Sequence, residues 1–138
     1  MDEAQQNLLD HARETLENAY APYSGYHVGA ALQTDSGTIY TGCNIENANY
    51  SNSLHAEEVA LGTALSDGHR TFERLAVTSR TRDGVTPCGM CRQTLAEFCP
   101  DTFEIVCDGG TEGIKTYTLG ELLPNAISRA HLDDSTTQ

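Results

Sequence analysis

Two short segments constrain this chain more than anything else in it. Leu54-His55-Ala56-Glu57 opens one apolar-periodic stretch, and Thr86-Pro87-Cys88-Gly89-Met90-Cys91-Arg92-Gln93 opens another. Between them they offer one imidazole, two thiols and a carboxylate two residues beyond the imidazole. A fold that uses these groups together must bring the starts of two helices to one point. Three such donors match a catalytic zinc site, which keeps three protein ligands and leaves a position open, whereas structural zinc is closed by four. The set predicts one Zn²⁺ per chain, held by His55, Cys88 and Cys91.

The spacing supports the chemistry. Cys88 and Cys91 are three apart, so a helix places both sulfurs on one face. Glu57, two residues past His55, diverges from it and lies beside the metal without ligating it. A carboxylate there can take a proton and return it elsewhere. Positive helix N-termini favour thiolates. Plainer readings exist for each part. A lone Cys-x-x-Cys is often redox-active, or a structural knuckle completed by Cys43, Cys99 or Cys107. A histidine at a helix start is often only a cap. The joint pattern favours the catalytic site, and the three remaining cysteines read as buried thiols of a reducing compartment.

The chain of 138 residues fits one domain over 1–132, with an acidic, disordered tail at 133–138. The amino-terminal Met1-Asp2-Glu3 has no signal-peptide character, and no apolar run reaches membrane-spanning length, so a cytoplasmic chain with no membrane partner is expected. Twenty Asp and Glu against eight Lys and Arg, only one of them lysine (Lys115), leave a net charge of −12. That surface repels phosphate backbones, which argues against nucleic acid. An acidic excess spread along the whole chain suits a high-salt cytosol, where screening reduces self-repulsion.

Periodicity predicts an amphipathic helix from Glu3 to Tyr20, strands at Val28–Thr34 and Gly37–Cys43, and a polar loop from Asn44 to Ser53. A helix from His55 to Leu65 presents Val59, Leu61 and Leu65. A strand at Leu75–Ser79 follows, then a helix with Pro87 in its first turn that runs to Cys99. A strand at Phe103–Cys107, a short strand at Lys115–Thr118 and a helical turn at Leu119–Leu123 complete the set. The alternation gives an α/β fold: a three-layer α-β-α sandwich around a mixed sheet of about five strands.

On these residues the chain resembles the cytidine deaminase family, of the short, homotetrameric type. The order His-x-Glu followed by Pro-Cys-x-x-Cys is the general signature of zinc-dependent nucleobase deaminases. Tyr23-Ser24-Gly25-Tyr26-His27-Val28-Gly29-Ala30-Ala31-Leu32, Gly42-Cys43-Asn44-Ile45-Glu46-Asn47-Ala48 and Glu121-Leu122-Leu123-Pro124 extend the likeness over nearly the whole length. The resemblance implies hydrolysis of cytidine and 2′-deoxycytidine to the uridine counterparts and ammonia. It also implies Asn44 and Glu46 on the ribose hydroxyls, the Ala56 N–H on the base O2 and the Thr86 carbonyl on the amino group. Tyr50 aligns with a tyrosine that enters a neighbouring subunit's pocket. Tyr26 stands where phenylalanine is usual and is counted among the substrate-binding residues.

Other features depart from the family's common form. Many short members carry cysteine at the place of His55 and arginine at the place of Glu58, a change of charge at the metal that these two residues make together. The aromatic expected after Pro124 is missing, with Ile127 nearest its place. The rival readings are a deaminase of another aminated base, of the blasticidin S or tRNA adenosine kind, or a non-catalytic zinc-binding module.

Overall fold

Antiparallel pairing of the first two strands sets the direction of everything that reaches the site. The computed structural model describes residues 3–133. Helix α1 (Glu3–Leu16) is followed by β1 (Val28–Thr34), β2 (Ile39–Cys43), α2 (Ala56–Ser66), β3 (Phe72–Ser79), α3 (Gly89–Phe98), β4 (Glu104–Asp108), β5 (Ile114–Thr118), α4 (Leu119–Leu122) and α5 (Arg129–Asp133). The sheet order is β2-β1-β3-β4-β5. Only β3 and β4 pair in parallel, and α3 supplies the crossover that such a pair requires. Strand β1 is antiparallel to both β2 and β3, so β2 and β3 run the same way. Segments that leave β2 and β3, and the one that enters β1, therefore emerge at the same edge.

Alternation along the strands builds the three layers. Leu8, Leu9 and Ala12 of α1 pack on Ala31, Ala76 and Val106 on one face. Ala60, Leu61 and Ala64 of α2, with Leu95 of α3 and Leu119, pack on Ala30, Leu32, Leu75, Val77 and Ile105 on the other. This is the sandwich and the mixed five-stranded sheet expected from the sequence. Arg13 fastens α1 to the sheet by bonding both carboxylate oxygens of buried Asp108, at 2.9 and 3.0 Å. Burial penalises the ionised Asp108, but the bonds from Arg13, the Gly110 N–H and Thr78 outweigh it and hold its carboxyl below the usual range.

Several boundaries differ from expectation. Helix α1 stops at Leu16 rather than Tyr20, because Tyr20 pairs in strand fashion instead: its N–H donates to Asn44 O at 2.9 Å, and it accepts from the Glu46 N–H at 2.8 Å. The stretch after β2 is the expected loop, but it is pinned by backbone bonds. Ile45 and Leu54 exchange both backbone bonds, at 2.9 and 2.8 Å, and Tyr50–Asn52 forms a 3₁₀ turn. Strand β3 begins three residues early, at Phe72. Pro87 lies outside α3, since Cys88 is its N-cap with extended backbone (φ −69°, ψ 171°). Ala60 and Ala64 are fully buried in α2, where Val59 and Leu65 were expected to carry the face. Asp133 closes α5, and the rest of the predicted tail, 134–138, lies outside the described residues.

The small face of α2 has a reason in β2. A Cβ on Gly42 would lie 2.5 Å from Ala56 O and 2.6 Å from Ala60 N, so only glycine admits the helix this close. Gly62, on the outer side of α2, has nothing within 4 Å of such a Cβ. We expect Gly42→Ala to destabilise the protein by about 1–3 kcal/mol through overpacking. Gly62→Ala should stabilise it by about 0.5–1 kcal/mol through helix propensity. Denaturant unfolding of the two variants checks the contrast; equal effects would mean that the α2–β2 contact is not set by Gly42.

Candidate active site

Two helix starts meet at the shared edge. His55 is the N-cap of α2, Cys88 the N-cap of α3, and Cys91 lies in the first turn of α3. His55 Nδ1 lies 3.2 Å from Cys88 Sγ and 3.3 Å from Cys91 Sγ, and the three donor atoms are all within 4.8 Å of one another. Among the described residues no other group of three or more potential ligands assembles in this way. Cys43, Cys99 and Cys107 stay free and buried, and burial pushes the thiols of Cys99 and Cys107 up to about 12, so both behave as small neutral side chains.

The donor set fits a soft divalent cation. Burial pushes the Cys91 thiol well up, with Glu57 and Cys88 adding to it. A nearby cation reverses that balance, because a coordinating thiol is deprotonated outright. The N-termini of α2 (11 residues) and α3 (10 residues) add positive potential from two directions.

Glu57 is 6% exposed, in the first turn of α2. Burial raises its carboxyl above the usual carboxylate range, while its own backbone N–H and His55 pull the other way. Glu58, which stands where many relatives have arginine, also has a structural part. Its carboxylate accepts the His55 N–H at 2.7 Å and fixes the start of α2. Residue 58 is therefore a cap first, and its charge sits where an N-terminus favours it.

A cavity of about 470 Å³ opens above these groups, in the size range of small-molecule sites. Tyr26, Asn44, Glu46, Tyr50, His55, Ala56, Glu57, Thr86 and Cys88 all line it. Cys91 is buried behind them. The sequence-predicted residues are thus brought together from four separate segments. Glu46 is held firmly: Oε1 accepts the N–H groups of Tyr23 and Ser24, both at 3.0 Å, and Oε2 accepts the Ser24 hydroxyl. These bonds, that of the Ser24 hydroxyl foremost, keep its carboxyl below the usual range. Asn44 also serves the backbone, accepting from the Val28 N–H at 2.9 Å and donating to Tyr26 O at 2.8 Å. Tyr50 is 73% exposed and meets the ring of Tyr23 edge-on at 5.9 Å.

Three contributors escaped the sequence reading. Ser24 braces Glu46. Asp83 receives the Tyr26 hydroxyl. Arg92 donates to Pro87 O at 2.7 Å, Thr86 Oγ1 at 3.0 Å and Leu122 O at 2.8 Å, and so fixes the segment that enters Cys88. Ser24 had a local signal, a hydroxyl two residues before Tyr26 whose N–H it accepts. Asp83 and Arg92 had none.

The comparisons agree with this geometry. The family described as the cytidine and deoxycytidylate deaminase zinc-binding region matches residues 2–107. The chain is 43% identical to a cytidine deaminase of Sporosarcina psychrophila over 133 residues, which cover 96% of this chain and 98% of that protein. A blasticidin-S deaminase of Bacillus cereus is 32% identical, over 88% of this chain and 91% of that one. The crystal structure of a cytidine deaminase from Burkholderia pseudomallei superposes with a TM-score of 0.84 at 40% identity, covering 92% of this chain and all of that one. A zinc-binding fold, a histidine and two cysteines at two helix starts, and a carboxylate beside them define a zinc-dependent deaminase. This chain belongs to the cytidine and deoxycytidylate deaminase family, and its His55–Cys88–Cys91 cluster can hold the family's zinc ion.

Proposed function

We propose that this protein hydrolyses cytidine, and 2′-deoxycytidine, to the uridine counterpart and ammonia, as a step of pyrimidine salvage. The observation that carries the reading is one cavity lined by two chemically distinct groups: buried Glu57 with the metal donors, and the braced Glu46 carboxylate with Asn44. His55, Cys88 and Cys91 hold the metal. Zinc, when bound, supplies the Lewis acidity that makes a water nucleophilic near neutral pH.

The protein's own groups do the rest. Glu57 takes a proton from the attacking water and delivers it to N3 as the water oxygen adds to C4. Glu57 then takes the remaining proton from the hydroxyl now on C4 and passes it to the amino group; the C4–N bond breaks, C4=O forms and ammonia leaves. A carboxyl raised by burial suits both directions of transfer. The Ala56 N–H, at the first turn of α2 and without an intrahelical acceptor, binds the base O2, and the Thr86 carbonyl accepts from the amino group. Asn44 and Glu46 read the sugar hydroxyls, of which the 3′ one is common to cytidine and 2′-deoxycytidine; a site built for that hydroxyl rejects ligands that lack it. The ring of Tyr26 forms the wall beside the base.

A second reading, deamination of blasticidin S, is favoured by the Bacillus cereus relative. The ribose-facing Asn44 and Glu46 favour the nucleoside. We expect ammonia release from cytidine and deoxycytidine, and little from adenosine or blasticidin S, in one assay panel. Glu57→Gln should keep its zinc and lose about 10²–10⁴ in rate or more. Activity of that variant within tenfold of wild type would exclude Glu57 as the proton carrier.

The active unit proposed is a cytoplasmic homotetramer in which Tyr50, which lines its own chain's cavity and is largely exposed, also reaches a neighbouring subunit's pocket. With twelve net negative charges per chain, repulsion between subunits is felt over about 30 Å at 0.01 M salt. Light scattering across a salt series should show a tetramer that weakens at low ionic strength. An active monomer at every salt concentration would contradict it.

A further inference from the structure

The ring of Tyr26 lines the cavity, but its hydroxyl is spent elsewhere. It donates to both carboxylate oxygens of Asp83, at 2.9 Å each. Asp83 belongs to the connection between β3 and α3, the stretch that carries Val85 and Thr86 into the cavity wall and ends on Cys88. Thus a residue just before β1 is tied to a loop 57 residues later, beside the backbone bond that the Arg80 N–H donates to His27 O at 3.1 Å.

Both partners are themselves held. Tyr26 donates its N–H to Ser24 Oγ at 3.0 Å and accepts from Asn44 Nδ2 at 2.8 Å, so it moves with the Asn44 and Glu46 side of the cavity. Asp83 accepts from Ser79 Oγ at 2.8 Å, and the next residue, Gly84, donates its N–H to Asp108 O at 2.8 Å. Around Asp83 the backbone is tightly turned, with Arg82 at φ 49° and Gly84 at φ 77°. Arg82 is a non-glycine residue in the left-handed region, a conformation kept only where neighbouring bonds fix it. A phenyl ring at position 26 could line the cavity equally well, so the hydroxyl serves the bond to Asp83. A phenol donating to a carboxylate is a charge-assisted bond, stronger than one between neutral groups.

We propose that Tyr26 and Asp83 form a latch that sets the width of the cavity, with the Tyr26 hydroxyl and the Asp83 carboxylate as positioning groups for the Val85–Thr86 wall. The proposal rests on the deaminase reading above, because the wall it positions is the one assigned to the base. Losing the latch loosens a contact made equally by substrate and transition state, so KM should move more than kcat.

The test uses zinc-loaded wild type, Tyr26→Phe, Asp83→Ala, Asp83→Asn and the Tyr26→Phe/Asp83→Ala double variant. Tyr26→Phe and Asp83→Ala should each raise KM for cytidine about three- to tenfold, the worth of one hydrogen bond. The double should be no worse than the larger single, and Asp83→Asn, which keeps an acceptor, should recover part of the loss. In both damaging singles the Gly84 amide should exchange faster. An unchanged KM in Tyr26→Phe beside an active wild type overturns the latch, as does a multiplicative double or unaltered Gly84 exchange. Faster Gly84 exchange beside a wild type that does not turn over cytidine supports the latch and overturns the substrate assignment instead.

Discussion

His55 Nδ1 faces the sulfurs of Cys88 and Cys91 at 3.2 and 3.3 Å, and that approach is possible only because α2 and α3 begin at the same edge of the sheet. The constraint runs back through the structure. Gly42 lets α2 lie against β2 with no side chain between them. The direction of β1 makes β2 and β3 exit together. Glu58 ties off the start of α2 at His55, while Arg92 holds Pro87 and Thr86 where α3 begins. Packing, pairing and capping all serve one small volume in which a histidine, two cysteines and a carboxylate can act on a single water and a single base.

The other part of the cavity is built by a different device. The segment after β2 carries Asn44 and Glu46, and it is pinned on two sides, to Tyr20 and to Leu54, by backbone bonds. Glu46 is then clasped by two N–H groups and a hydroxyl from Tyr23 and Ser24. A carboxylate so engaged is preorganised, and it meets a ligand hydroxyl without first losing conformational freedom. Side-chain donors mark the metal-binding part of the cavity, and backbone geometry holds the amide and carboxylate of the part to which the proposed function assigns the sugar.

Much of this was legible in the sequence, for identifiable reasons. Metal chemistry demands His55, Cys88 and Cys91 as residue types at a set spacing, and Glu57 follows from them. The strands were legible as short runs bounded by turn residues: Val28–Thr34 is buried at five of its seven positions and is closed by Asp35-Ser36-Gly37. What escaped depends on segments that meet only in the folded chain. The bond from Tyr26 to Asp83 and those from Arg92 leave no local trace. Nor does the strand pairing of Tyr20 that cuts α1 short, because helical periodicity continues past Leu16. The charge of Glu58 was legible, but not the capping bond that its carboxylate accepts from the His55 N–H.

The account stands on a three-donor metal site at two converging helix starts, with a position left for the reacting water. X-ray absorption at the zinc edge of the purified protein reads this directly. The account predicts one zinc per chain, bound by one nitrogen and two sulfur donors from the protein together with a light-atom donor from solvent. A shell with three or four sulfurs would bring Cys43, Cys99 or Cys107 into the site. That result would contradict the assignment and return the centre to a structural role.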